Sequence, residues 1–212
     1  MFGRCILLIL FLAPSLAPDR AQAQYIAVGV GGLFSQGRSA ALANPLAGNV
    51  LGTASADFSK TGILTFDAGT SVLPFLTAGI HYSFSRPELT LRRGDAFGSS
   101  AVADLDAHTL TFDARLRSPR VLRFRAYGLA GVGFTRFNMS VRNQVEVPFP
   151  GGAGSVTSPV FTFGAGVERK LLPLVGVKLE VRDYLSPLSE KFYQPGGAWN
   201  RVAVIVGLVL GR

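Results

Sequence analysis

The stretch LVGVKLEVRDYL, residues 174–185, decides the fold. Aliphatic side chains stand at every second position from Val175 to Val181, and Lys178, Glu180 and Arg182 fall on the other parity. A period of two predicts a β-strand whose side chains alternate between two faces. One face is therefore aliphatic and the other charged, so the strand needs an apolar medium on one side and a polar one on the other.

The composition of the whole chain points to the same kind of environment. The chain has 212 residues, 48% of them hydrophobic and only 16% charged, and it includes 25 glycines. Its length suits one domain. No run of 18 apolar residues offers a transmembrane helix, so the apolar content must be used by strands.

The N-terminus has the three parts of an export signal. Arg4 precedes the apolar run ILLILFLA at 6–13, and Ala21-Gln22-Ala23 is typical of a cleavage site. We therefore expect a signal peptide at 1–23 and a mature domain at 24–212. A formal charge of +8 would suit nucleic-acid binding in the cytosol, but export and the lack of a nucleic-acid motif argue against such a partner.

The alternation of the opening stretch recurs along the chain. The other segments with this pattern are 25–34, 62–72, 75–86, 108–117, 122–134, 161–170 and 200–210. The last of them is apolar on both faces, so its alternation does not fix which face points into the lumen. Together with 174–185 they make eight strands.

The connections between these strands alternate strictly between short and long. Short, proline-marked turns lie at 73–74, 118–119 and 171–173; long ones lie at 35–61, 87–107, 138–158 and 187–197. This alternation and the strand length are typical of membrane barrels, whose tilted strands need about 9–11 residues. We predict an all-β fold, an eight-stranded antiparallel up-and-down transmembrane β-barrel. The alternative, a soluble calycin-like barrel, would need apolar residues inside.

In such a barrel the charged parity faces the lumen. The predicted lumen charges are Asp67, Asp113, Arg115, Arg125, Glu168, Lys178, Glu180 and Arg182, with Arg117, Arg123 and Lys170. Glu168 should face Lys178 across a hairpin. Eight strands leave an interior just wide enough for side chains, so a charge-paired plug is favoured over an anion-selecting pore. Glycines of the G-x-G pieces should make room for long lumen side chains.

Aromatic residues near the outer strand ends are expected to form an interfacial girdle. They are Tyr82, Phe84, Phe134, Phe161 and Trp199.

The sequence resembles the small outer-membrane barrels of Gram-negative bacteria, the OmpA-like and opacity-type porin families. The resemblance rests on the signal peptide, the pieces GVGG (29–32), GVGF (131–134) and GAGV (164–167), and the hairpin 167–184. It implies a structural or surface-interaction role in the outer membrane; a narrow porin is the alternative. The implied partners are outer-membrane lipid, lipopolysaccharide and the barrel-assembly machinery, although the final residues lack the usual terminal aromatic. The sequence does not identify a ligand of the outer loops.

No catalytic, metal or cofactor site is predicted. His81-Tyr82-Ser83 resembles the His-x-Ser pair of outer-membrane lipid A deacylases, which makes a lipid hydrolase a lesser alternative. The predicted register points His81 and Ser83 into the lumen, and no acid stands at a convincing partner position. Two isolated histidines and no cysteine beyond Cys5 provide no metal cluster, and the glycine pairs lack the nucleotide-binding motif.

Overall fold

The computed structural model describes residues 24–35, 38–43, 50–93, 100–141, 154–187 and 198–211. The described chain forms eleven strands: β1 (Gln24–Ser35), β2 (Arg38–Ala43), β3 (Val50–Phe58), β4 (Thr61–Leu73), β5 (Leu76–Ser85), β6 (Glu88–Arg93), β7 (Ser100–Arg117), β8 (Phe124–Val141), β9 (Gly154–Lys170), β10 (Val175–Pro187) and β11 (Ala198–Gly211).

Eight of these strands close into a barrel. Each of β1, β4, β5, β7, β8, β9, β10 and β11 pairs antiparallel with its chain neighbour in this set, and β11 returns to pair with β1. Closure leaves no unpaired edge among these eight strands. The predicted eight-stranded antiparallel barrel is confirmed. We call the end with connections 74–75, 118–123 and 171–174 the turn end, and the opposite end the loop end.

The barrel is apolar outside and polar inside, which is the reverse of a soluble barrel. On β10, Leu179 and Val181 are 47% and 48% exposed, whereas Lys178 and Glu180 are 1% and 0% exposed. The same division holds on β4, where Phe66 faces out and Asp67 faces in. No segment that the structure describes is a helix able to cross a membrane.

The predicted long loops contain strands, which corrects the sequence prediction. Within 35–61 lie β2 and β3, and within 87–107 lie β6 and the first part of β7. These strands pair with one another beyond the barrel, in the order β2–β3–β6–β7. Strand pairing continues beyond the barrel because the hydrogen bonds of a β-sheet join backbone groups, which every sequence has. Strict alternation of apolar and polar side chains is not needed for it.

The turn between β7 and β8 is longer than predicted. Leu122 and Arg123 have positive φ angles of 49° and 71° and belong to this turn, so β8 starts at Phe124. The prediction that Arg123 lies in the lumen is therefore wrong; its side chain is exposed. Leu122 is 87% exposed at the turn end.

Trp199 does not belong to the outer girdle. It is 3% exposed and packs inside the barrel against Phe137, with ring centroids 5.5 Å apart. Odd-numbered residues of β11 face the lumen, and even-numbered residues such as Val204 and Val206 face out. The prediction failed because this strand is apolar on both faces, so its sequence does not show which face points into the lumen.

Candidate functional site

Six charged residues fill the middle of the lumen, and we call them the charge network. Each is at most 5% exposed. They are Asp67 on β4, Asp113 and Arg115 on β7, and Lys178, Glu180 and Arg182 on β10. Three carboxylates meet three cations, so the formal charges cancel.

Asp67 is the centre of the charge network. Its Oδ1 accepts a hydrogen bond from Arg115 Nη2 at 2.5 Å, and its Oδ2 accepts one from Lys178 Nζ at 2.7 Å. Arg182 Nη2 lies 3.7 Å from the same carboxylate. Charge-assisted hydrogen bonds of this length are the strong kind, so one carboxylate ties three strands together across the lumen.

Arg182 joins the other two carboxylates. Its Nη1 donates to Asp113 Oδ2 at 2.7 Å and its Nε donates to Glu180 Oε1 at 2.8 Å. The Tyr127 hydroxyl donates to Glu180 Oε2 at 2.7 Å. Thr111 Oγ1 donates to Asp113 Oδ1 at 2.8 Å, so every carboxylate of the network has a cation and a second donor, whereas Arg115 Nε and Nη1 and Arg182 Nη2 have no hydrogen-bond partner in the described chain. Pairing of each carboxylate with a cation lowers the cost of burying these charges.

The hairpin of β9 and β10 has the predicted register but different charge contacts. Glu168 is the direct cross-strand partner of Lys178. Lys178 reaches Asp67, whereas Glu168 lies 4.0 Å from Arg115 Nη1 and 3.9 Å from Arg117 Nη2. Arg125 lies opposite Glu168 on β8, half-buried toward the turn end. Neither Arg125 nor Glu168 belongs to the fully buried network.

Two lumen glycines show what the G-x-G pieces do. A Cβ on Gly166 would lie 2.5 Å from the ring of Tyr127, and a Cβ on Gly131 would lie 2.1 Å from Asp113 Oδ1. These glycines make room for an inward tyrosine, a long lumen side chain as predicted, and for a short network carboxylate.

An apolar layer lies on the loop-end side of the charge network. It consists of Leu33, Ile63, Val160, Tyr184, Ala203 and Ile205, all buried. The charge network and this apolar layer together occupy the middle of the lumen.

Arg201 is a buried lumen residue, 2% exposed, that is not among the predicted lumen charges. Its guanidinium carbon lies 4.8 Å from the centre of the Trp199 ring and 5.3 Å from that of Phe137. Its Nη2 donates to Thr135 Oγ1 at 3.1 Å and to Ser186 Oγ at 3.2 Å. Cation–π contacts of this kind stabilise a desolvated arginine. The only available signal was one charge in the apolar last strand.

His81 has an acidic partner, contrary to the sequence prediction. Asp67 stands directly opposite His81 on β4, and its Oδ1 accepts from Nδ1 at 2.9 Å. His81 Nε2 lies 2.8 Å from the Tyr184 hydroxyl. His81 itself is 0% exposed.

The same contact brings together three groups able to bind a metal. Ligand atoms of Asp67, His81 and Asp113 lie within 4.8 Å of one another. Sequence spacing did not show this cluster because the fold assembles it. The two carboxylates already bind Arg115, Lys178 and Arg182, so a metal ion would have to compete with three fixed cations.

Four predicted girdle residues lie on the outside of the barrel. Phe134 and Phe161 are 46% and 56% exposed, while Tyr82 and Phe84 are partly exposed. The Tyr82 hydroxyl lies 2.8 Å from His108 Nδ1, and the Phe84 ring packs against the same imidazole at a tilt of 38°, with ring centroids 4.9 Å apart. These rings cluster toward the loop end.

Cations lie over outward aromatic rings at the rim of the loop end. Lys60 lies 5.8 Å from the centre of the Phe34 ring, and Arg86 lies 5.8 Å from that of Phe84. Arg86 is also paired with Asp106 at 2.6 Å, and its side chain is 63% exposed. The segments beyond the loop end contain further cations whose side chains lie outside the described residues: Arg38, Arg92, Arg93, Arg142 and Lys191.

No protein-family model matches the sequence, and no match was found among curated proteins. Solved structures share the fold at low sequence identity. The crystal structure of OprG, an outer membrane protein from Pseudomonas aeruginosa, aligns at a TM-score of 0.56 with 10% identity, covering 91% of this chain and 97% of that one. Neisserial surface protein A aligns at 0.54 with 13% identity, covering 89% and 96%. The outer membrane protein AlkL, determined in lipid bilayers, aligns at 0.52 with 13% identity, covering 94% of each chain. The chain therefore has the fold of the small outer-membrane β-barrels.

Proposed function

We propose that this protein is an outer-membrane barrel of a Gram-negative cell envelope that acts through its loop-end surface and does not conduct. The observation that carries the proposal is the filled lumen, in which three carboxylates and three cations cancel and an apolar layer follows. An eight-stranded barrel has little interior volume beyond its own side chains. A pore would need a continuous wet path, and the network residues are almost completely buried.

The outward surface supports the membrane placement. The middle portions of the barrel strands expose aliphatic and aromatic residues such as Val206, Phe112 and Phe163, each 51–60% exposed. Above them, Lys60 and Arg86 lie over aromatic rings at the loop end. Cations at this height can meet anionic lipid groups, so we infer that the loop-end rim contacts lipopolysaccharide phosphates.

Conductance in a planar bilayer tests the closed lumen. The protein is reconstituted, and insertion is verified by circular dichroism and by the emission of Trp199, the only tryptophan. We expect inserted protein without steady single-channel current, and no change in the Arg125→Ala variant. A steady current that falls in Arg125→Ala would instead make the protein a narrow anion-selecting porin.

The hydrolase alternative has a separate test. The rate at which acyl chains are released from lipopolysaccharide is measured with the unaltered protein, with His81→Gln and without protein. We expect the same rate in all three samples. Acyl release that disappears in His81→Gln while the barrel stays folded would overturn the non-enzymatic proposal.

Contact with lipopolysaccharide is tested by the stability of the barrel in vesicles with and without that lipid. Lipopolysaccharide should raise the urea midpoint of the unaltered protein, and Lys60→Gln/Arg86→Gln should reduce the increase. An equal increase in both proteins would contradict the proposed rim contact.

A further inference from the structure

A second group of charged residues, separate from the charge network, lies at the turn end of the barrel. These residues line a cavity of about 90 Å³, several times the roughly 10–15 Å³ that one water molecule requires. We call this cavity the turn-end pocket. Its lining includes Tyr25, Arg117, Arg120, Arg125, Glu168 and Lys170.

The turn-end pocket is strongly basic. Its described lining holds four arginines and a lysine but a single carboxylate, that of Glu168. Its Oε1 lies 3.9 Å from Arg117 Nη2 and 4.0 Å from Arg115 Nη1 and has no hydrogen-bond partner in the described chain, so this one negative charge faces five cations of the lining. The charges of the pocket therefore do not cancel, in contrast to those of the charge network above it.

Two arginine donors of the turn-end pocket have no hydrogen-bond partner in the described chain. They are the buried Nε atoms of Arg117 and Arg125. The side chain of Arg117 is only 9% exposed, so bulk water has little access to it. A buried donor without a partner costs free energy, more so in a charged group. An anion with several acceptor oxygens would remove that cost, and arginine forks match phosphate geometry.

The rim of the pocket is apolar. Leu174, which lines the pocket, is 59% exposed, and Leu172 and Val121 on the neighbouring turns are 61% and 66% exposed. Arg169, which also lines the pocket, lies 5.2 Å from the centre of the outward Phe124 ring. A cationic pocket bordered by exposed apolar side chains fits an amphiphile with a phosphate group and acyl chains.

We propose that the turn-end pocket binds the phosphate group of an anionic phospholipid in the leaflet that surrounds this end of the barrel. The assignment of the lipid source rests on the membrane placement proposed above. The phosphate chemistry rests only on the geometry of the pocket.

The test counts lipids bound to the intact protein by native mass spectrometry in a non-ionic detergent. Phosphatidylglycerol is the probe, and phosphatidylcholine, whose headgroup has no net charge, is the comparison lipid. We expect one phosphatidylglycerol to be retained in preference to phosphatidylcholine. Arg125→Gln, at the half-exposed edge of the pocket, should weaken its binding about tenfold, as for loss of one charged hydrogen bond.

A matched control and a second variant make the result specific. Arg136→Gln removes the same charge from the same strand, but at an exposed position near the loop end, and should bind phosphatidylglycerol like the unaltered protein. Lys170→Gln should weaken binding as Arg125→Gln does, which protects the test against a fault in one variant. Equal retention in all four proteins would overturn the proposal.

Inorganic phosphate distinguishes the two sources of the anion. If millimolar phosphate displaces phosphatidylglycerol from both the unaltered protein and Arg136→Gln, the site binds phosphate but the lipid assignment is overturned. If it does not displace the lipid, the acyl chains contribute and the assignment holds. Binding in detergent needs neither a closed lumen nor a particular membrane, so this test and the conductance test fail independently.

Discussion

The sharpest prediction concerns the central carboxylate of the charge network. Asp67→Asn keeps the size of the side chain but removes its charge, and the network is left with one excess positive charge. Arg115 at 2.5 Å and Lys178 at 2.7 Å lose their closest anion while fully buried. Removing one partner of a buried pair costs about 3–5 kcal/mol. This is a large part of the ~5–15 kcal/mol by which proteins are usually stable.

An exposed ion pair in the same barrel provides the matched control. Asp106 pairs with Arg86 at 2.6 Å, but their side chains are 36% and 63% exposed. Water screens such a pair, so Asp106→Asn should cost only about 0–1 kcal/mol. The two variants carry the same chemical change and differ in burial.

The assay is urea unfolding in lipid vesicles, followed by the fluorescence of Trp199, which is 3% exposed in the folded barrel. Circular dichroism gives the loss of strand structure independently. If Asp67→Asn lowers the free energy of unfolding no more than Asp106→Asn, the network does not stabilise the barrel and the reasoning fails.

A compensating variant tests the balance of charge directly. Asp67→Asn/Lys178→Met again leaves equal numbers of carboxylates and cations in the network. We expect it to recover about 0.5–3 kcal/mol relative to the sum of the two single variants. Strict additivity would show that the two residues act separately, despite their 2.7 Å contact.

Three further changes test the faces and the packing of the barrel by the same urea assay. Val181→Lys, at the centre of β10 and 48% exposed, should lower the free energy of unfolding by about 2–4 kcal/mol. The control Val121→Lys, at the turn end, should lower it by only about 0–1 kcal/mol. Equal losses would contradict the membrane orientation. Gly166→Ala, whose new methyl would lie 2.5 Å from an inward tyrosine ring, should cost about 1–3 kcal/mol, while Gly128→Ala, with its nearest atom at 4.0 Å, should be well tolerated on steric grounds. Arg201→Met leaves no carboxylate of the charge network unpaired and should cost less than about 1.5 kcal/mol. A larger loss would show that the hydroxyl and ring contacts of Arg201 stabilise the barrel more than this reasoning allows.

The sequence by itself determined the class of fold and the direction of most side chains. Alternation at 62–72 or 174–185 predicts orientation because successive residues of any strand point to opposite faces. Proline-marked turns and strand length then indicated an up-and-down membrane barrel. Where alternation was absent the prediction failed, as for Trp199 in the last strand and for β2 and β3, which lie in a predicted loop.

Tertiary structure decided which charges meet. Lys178 and Asp67 are 111 residues apart in sequence, and Arg182 and Asp113 are 69 apart, yet each pair is in contact at 2.7 Å. The register of the hairpin predicted Glu168 as the charge partner of Lys178, because a hairpin gives the neighbours of a residue on the adjacent strand only. In a narrow closed barrel a long side chain spans the lumen to strands that are not its neighbours, and the low cost of a balanced, hydrogen-bonded network selects those partners.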